Sequence, residues 1–405
     1  MWEQIRANKR NSIMLLAVMA TCLMALGFVL GLAFGGMEGG IFGLAVATVV
    51  WLVMMLVSLS SGDQILLASS GAKPVTYEVH PQLFNIVEEI TIAANLPKMP
   101  KIYIINDPAP NAFATGRNPE NASVAVTAGL LARLNRDELQ GVIAHEVSHI
   151  VHRDILFVTL AGVMLGSIVI LSQVFLRSMF YSSMGSGRRF SSRSSKQGNA
   201  QIIFVIIAIV AAILAPIMAQ ILYFALSRRR EYLADAGAVR LTRYPEGLAS
   251  ALEKISRNDQ PMEAANKATA PMYIDNPFRG KKSINLYSTH PPIEERIKIL
   301  RHMSRGASFK DYSDSYSQTV GGETVMPASA MKDEPVELRQ PAHPAPDEKP
   351  IREKEKQARQ LGDIMRMVNG FAFLTCTCGL KMKVPPNFRG SKVKCPRCGT
   401  ISSLK

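Results

Sequence analysis

His145 and His149 stand four residues apart in the stretch AHEVSH, with Glu146 directly after the first of them. On a helix, positions i and i+4 share one face a turn apart, so both imidazoles can reach a single small tetrahedral cation. Glu146 lies one step around the same helix, near enough to reach a water at that cation without being a ligand. This is the H-E-x-x-H pattern of zinc hydrolases, and the chemistry explains its spacing. A catalytic zinc takes three protein ligands and leaves a fourth position open. In SRRREYLAD, Glu231 and Asp235 are again four apart on one face. Glu231 can supply the third ligand, and Asp235 can orient a ligand histidine through its other ring nitrogen. His152 shares the stripe of His145 and His149, but three histidines of one continuous helix would spread over about 10 Å. His152 is therefore expected to be a polar residue near a membrane surface.

The elements that must carry these residues are legible in outline. NRDELQGVIAHEVSHIVHRD opens with Asn135 and Glu138 at capping-box spacing and continues with apolar residues at helical intervals, which predicts a capped, buried helix. Upstream, the pattern predicts a helix over 82–94 and strands over 101–106 and 123–127. Downstream, a helix starts near Pro292 with Glu294 and Glu295 in its first turn, where acids suit the helix dipole. An extended peptide added to the edge of the strand at 123–127, or bound near Asn111, would gain affinity without demanding sequence, so Asn111 is a candidate for substrate binding.

The chain has 405 residues, enough for two or three domains, with 48% hydrophobic and 19% charged residues. Mean hydropathy is only +0.11, so the apolar residues are concentrated in segments. Ile13–Phe34 and a second uncharged run over 39–62 are each long enough to cross a hydrocarbon core, which takes about 20 helical residues. Arg6, Lys9 and Arg10 precede the first run and the turn between the runs has no Lys or Arg, so both flanks are expected in the cytoplasm. Two further runs, over 155–176 and 197–227, are joined by a segment with Arg177, Arg188, Arg189, Arg193 and Lys196 and no acid. Placing that segment outside conflicts with the charge rule, so either the rule loses or the hairpin is shallow. In both cases the chain returns, bringing Glu231 beside the H-E-x-x-H helix. The net charge of +14 is then largely a matter of membrane flanks rather than of nucleic acid.

The segments GAKPVTYEVHPQLF, PKIYIINDPAPNAFATGRNPENASVAVTAGLL, AHEVSHIVHRDI, REYLADAGAV and STHPPIEERI, in that order, resemble the HtpX family of membrane zinc peptidases, relatives of the CAAX prenyl endopeptidases, over roughly residues 1 to 305. The resemblance implies gluzincin ligation by His145, His149 and Glu231, catalysis by Glu146, and a cleft toward which His290 of STHPP is brought as a candidate stabiliser of the tetrahedral intermediate. It further implies digestion of membrane or misfolded proteins at the cytoplasmic face of the inner membrane, and a part in protein quality control. The fold class expected is α+β, mainly helical, a metallopeptidase domain preceded and interrupted by transmembrane helices. Its divisions would be two membrane helices over 1–62, peptidase parts over 63–154 and 228–310, and a membrane hairpin over 155–227. A prenyl-protein processing peptidase would carry more spans than these four runs.

The remainder lies outside that resemblance. Pro, Ser, Asp, Glu and Lys dominate from about 312, and 311–370 is expected as a disordered linker. Residues 371–405 carry Cys376, Cys378, Cys395 and Cys398, two close pairs that look like a zinc ribbon. Four thiolates close the coordination shell, so this second zinc is expected to fold the tail rather than catalyse. The fifth cysteine, Cys22, sits among apolar residues as a small filler. Every charged residue from Lys381 on is basic. An anionic membrane surface is the simpler partner for such a tethered module than nucleic acid, because stacking residues are scarce. A membrane-tethered ribbon whose peptidase domain is only a scaffold is the competing reading, and the complete H-E-x-x-H with Glu231 speaks against it.

Overall fold

The computed structural model describes residues 2–185, 203, 205–215, 217–218, 228–258, 260–266, 269–277, 291–303, 306–321, 326, 330–332, 334–340 and 350–404. His290 lies outside these residues, as does most of the segment joining the third and fourth apolar runs.

Helix α1 (Trp2–Ser69) is two limbs broken at Gly35 and Gly36, the latter with φ 56°. That left-handed conformation costs a glycine little, which is why the turn without Lys or Arg falls there. The limbs then pack against each other through small residues: a Cβ at Gly31 would sit 2.1 Å from the Gly39 carbonyl oxygen, and one at Gly27 2.7 Å from that of Gly43. In lipid, where apolar burial does not drive helices together, such close backbone approach supplies the packing. Helix α5 (Asp154–Gly185) and the shorter apolar α6 (Val205–Ala215) complete a membrane cluster with Leu23, Leu26, Met164, Leu165, Ala208 and Ala212. Leu16–Ala33, Gly35–Ser69 and Asp154–Arg177 are long and apolar enough to span. They correspond to three of the four expected runs; of the fourth, only part lies in the described residues.

Beyond the spans, β1 (Ala72–Pro74), β2 (Lys101–Ile105), β3 (Ala112–Gly116) and β4 (Ala122–Thr127) form one sheet in the order β1-β2-β4-β3. The β2–β4 pair is parallel and the outer pairs are antiparallel. Helices α2 (Pro81–Ala93), α3 (Ala128–Arg133) and α4 (Arg136–Val151) cover it, and α7 (Arg228–Thr242) and α8 (Pro245–Ser256) pack on α4. Leu83, Ile86, Ile104, Val124, Val142, Ile143 and Val147 are in the shared core. The capping box is formed: Asn135 Oδ1 accepts from the Glu138 N–H at 2.9 Å, and Glu138 Oε2 accepts from the Asn135 N–H at 2.8 Å. The same buried Glu138 also receives Ser250 and Lys254 of α8, so a local cap doubles as the joint between two helices.

Helix α2 starts at His80, whose Nδ1 accepts from the Leu83 N–H at 3.1 Å. Only neutral imidazole can accept there, and burial holds the His80 pKa below its usual 6.5. The unfolded chain therefore binds the extra proton more readily, so this cap stabilises the fold above about pH 6.5 and is lost as pH falls further. His80→Asn, a cap that does not titrate, is expected to reduce the drop in melting temperature between neutral and mildly acidic pH, by an amount equivalent to about 1 kcal/mol. Parallel pH profiles for the two proteins would refute the assignment.

The 311–370 segment departs from the expectation of a disordered linker. It contains α10 (Phe309–Thr319, beginning just before it) and α11 (Pro350–Val368), with 341–349 between them outside the described residues. Tyr312 of α10 is fully buried, and Leu361, Ile364, Met365 and Val368 of α11 join the peptidase core. Arg339 docks the intervening segment, donating to Asp137 at 2.8 Å and Gln140 at 2.7 Å. Polar composition hid apolar residues at helical spacing, and those residues find a surface to cover. Helix α9 (Ile293–His302) starts where expected. The tail forms two hairpins, β5 (Ala372–Thr375) with β6 (Lys381–Val384) and β7 (Lys392–Lys394) with β8 (Ile401–Ser403).

Candidate metal centre

Helix α4 is buried along nearly its whole length, so its two histidines leave a fixed backbone into a closed space. The Nε2 atoms of His145 and His149 are 3.3 Å apart, with the rings at 89° to each other. Glu231, from the first turn of α7, brings Oε2 to 3.5 Å from His145 Nε2 and Oε1 to 3.6 Å from His149 Nε2. Ligands about 2.0–2.1 Å from one tetrahedral ion lie about 3.3 Å from each other. The spacing therefore fits a cation held by one atom from each residue.

The opposite ring nitrogens support that geometry. His145 Nδ1 is 2.9 Å from Asp235 Oδ1, and His149 Nδ1 is 3.2 Å from Asp154 Oδ2. A carboxylate only accepts, so each Nδ1 carries the proton and each Nε2 turns its lone pair to the common point. Asp235, fully buried, is held in turn by Arg296, whose Nε and Nη2 donate to its two oxygens at 2.8 and 2.7 Å. Burial alone would raise the Asp235 pKa, but the Arg296 charge and hydrogen bonds outweigh it and keep the carboxyl ionised. Burial likewise works against a charged His145, yet Asp235 and Glu231 carry its pKa up to about 9. The site thus favours a positive charge at this position, which a divalent cation would supply in place of the proton.

Glu146 is buried beside the histidines, and burial raises its pKa while the two histidines oppose the rise. Glu146, with His149, Glu231, Ala114, Pro271 and Met272, lines a cavity of about 20 Å³ whose lining also includes Ile155 and Val158 of α5. That is room for about one water. A water, a base and three convergent ligands are the parts of metal-assisted hydrolysis.

His152 stands outside the group. It caps the C-terminal end of α4, is buried, and faces Gly237 of α7, where an added Cβ would already be 2.5 Å from the Ser148 hydroxyl. His149→Ala is expected to abolish cleavage and stoichiometric metal, whereas His152→Ala retains both; equal losses measured by metal analysis and cleavage assay would overturn this division. Asn111 does not face the cavity with a free amide. Its Nδ2 donates to the Asp275 carbonyl at 2.9 Å and its Oδ1 accepts from the Ala112 N–H at 3.1 Å and the Asp275 N–H at 3.4 Å, so here it fixes the chain segment bearing Pro271 and Met272. Arg296 and Asp154 had been missed. Asp154 offered a weak signal, an acid five residues past His149; Arg296 offered none, being one cation in a charged first turn.

In the tail, the sulfurs of Cys376 and Cys398 are 3.3 Å apart and those of Cys378 and Cys395 3.7 Å apart, and all four lie within 4.8 Å of one another. A disulfide would bring two sulfurs to about 2.05 Å, whereas thiolates about 2.3 Å from one ion sit about 3.8 Å apart. The cluster fits a metal. Each pair turns back at a glycine with positive φ, Gly379 at 82° and Gly399 at 75°.

Known proteins are similar to this chain in sequence. The profile of Peptidase family M48 matches residues 78–304, which include both histidines, Glu146, Glu231 and Arg296. "Protease HtpX homolog" of Dictyoglomus thermophilum is 49% identical over 302 residues, covering 75% of this chain and 94% of that protein. The protein of the same name from Ligilactobacillus salivarius is 42% identical over 303 residues, covering 75% of this chain and 100% of its own length. Among solved structures, S. mikatae Ste24p aligns at 20% identity with a TM-score of 0.36, covering 74% of this chain and 67% of that one. With the helix-borne ligand set formed in the fold and the profile spanning more than half of the sequence, the chain belongs to Peptidase family M48.

Proposed function

We propose that this membrane metallopeptidase is a zinc endopeptidase that cuts membrane or misfolded proteins at the cytoplasmic face of the inner membrane, as part of protein quality control. The observation that carries the reading is the convergence of His145 Nε2, His149 Nε2 and Glu231 on one point with the Glu146 carboxyl beside it. Zinc bound there would polarise the scissile carbonyl and acidify a water toward a pKa of about 7. Glu146 takes the proton from the attacking water and passes it to the leaving amine, so that one water is consumed and a carboxylic acid and an amine are released. Asp235 and Asp154 keep both imidazoles in the tautomer that ligation needs, and Arg296 keeps Asp235 ionised.

The placement of the cleft supports substrates at the membrane. Ile155 and Val158, in the first turn or so of a span, form its wall, and Glu231 follows directly on the returning hairpin. Arg6, Lys9 and Arg10, at the start of α1 and ahead of its apolar stretch Leu16–Ala33, favour the cytoplasmic side for the domain that follows the second limb. A second zinc, held by the four tail cysteines, is structural in this reading.

The test is metal removal. Chelation of the detergent-purified protein is expected to stop cleavage of an unfolded model protein, and zinc is expected to restore it, with two zinc ions per chain in the restored protein. Cleavage that persists after both sites are emptied would exclude the metallopeptidase mechanism.

A further inference from the structure

Outside the metal centre, a polar cavity of about 110 Å³ opens between α1 and the start of the sheet. Lys98, Lys101 and Arg117 line it, together with Asp63, Glu120 and Gln64. Among the described residues, no ion pair joins these cations to an acid. Arg117 is anchored, its Nη1 donating to the Leu59 carbonyl of α1 at 3.2 Å, which sets its charge at that turn of the helix.

The cavity lies at a definite level. Ser60, Asp63 and Gln64 face it from α1, and the same helical stripe continues toward the kink through Leu56, Val53, Val49, Val46 and Phe42, at steps of three and four residues. All five are exposed, Leu56 at 68% and Phe42 at 72%. At a rise of about 1.5 Å per residue, Phe42 to Leu56 covers about 21 Å, more than one leaflet's half of a hydrocarbon core about 30 Å thick. The apolar stripe leads along α1 to a pocket lined by three cations.

We propose that this pocket binds the headgroup of one phospholipid, its phosphodiester between Lys98, Lys101 and Arg117 and its chain along the Phe42–Leu56 stripe. Asp63 and Glu120 select the head. A carboxylate only accepts, so it favours a headgroup with donors, the ammonium of ethanolamine or the hydroxyls of glycerol, over choline, which has none. The site rests on α1 and the sheet and is independent of the peptidase chemistry.

The experiment is native mass spectrometry of the full chain released from nanodiscs of phosphatidylethanolamine, phosphatidylglycerol or phosphatidylcholine. One retained lipid is expected from the first two and little from the third. Lys98→Gln/Lys101→Gln is expected to weaken the binding of that lipid about 30-fold, given the loss of two lysines near a phosphate. The same variant should keep the wild-type melting temperature. Lys392→Gln/Lys394→Gln, on the basic ribbon, is the control and should leave the lipid bound. Equal retention of all three lipids, or equal retention by the pocket variant and wild type, would overturn the proposal. Displacement of the lipid by millimolar glycerol 3-phosphate would also overturn it, assigning the pocket to a free phosphate ester.

Discussion

Glu146→Gln is expected to lower peptide hydrolysis by about 10²–10⁴-fold while the metal content stays at the wild-type level. The amide matches the carboxylate in size and fills the same buried place beside the Ala114 backbone, so the small cavity and both histidines keep their positions. What it cannot do is accept a proton from water. Neither His145 Nε2 nor His149 Nε2 can substitute, because both face the shared ligand point, and both Nδ1 atoms are held by carboxylates. Cleavage assays of an unfolded protein, with zinc measured on the same samples, decide the matter. Full activity in the variant would remove Glu146 from the reaction; loss of the metal together with activity would make it a ligand or a support rather than a base.

Arg296→Met should be the most damaging substitution among residues that touch neither substrate nor metal directly. Arg296 is fully buried, binds both oxygens of Asp235, donates to the Ile274 carbonyl at 3.2 Å, and lies 3.6 Å from Glu231. Methionine fills the volume but strands the Asp235 carboxylate without its counter-charge. Breaking one side of a buried pair costs about 3–5 kcal/mol, and a lost outer support for a ligand histidine weakens metal binding about 10–100-fold. Denaturant unfolding and zinc titration measure the two effects separately. Adding Asp235→Asn should recover part of the stability, since it removes the stranded charge; a single variant as stable as wild type would show that Arg296 does not hold the site.

Helical period is a local property, and what depends on it alone was readable in the sequence. His145, Glu146 and His149 share one capped helix, so their geometry follows from their numbering, and Glu231 followed once the apolar runs required the chain to return. The four tail cysteines were readable for the same reason, each pair held by its own tight turn. The spans showed as uncharged runs because the bilayer imposes length and composition together. The tertiary structure decided what depends on distant partners. Arg296 lies sixty-one positions from Asp235 and looks like any surface cation until α9 carries it into the core. Asn111 has an amide that could serve a substrate, and the approach of Asp275, 164 positions away, takes up its Nδ2 donor and adds a second donor at its Oδ1. Helices α10 and α11 were missed because their polar composition is that of unfolded chain, and their few apolar residues are stable in a helix only where the peptidase core offers a face to cover. Periodicity fixes which side chains leave a helix together, but packing alone fixes what they meet.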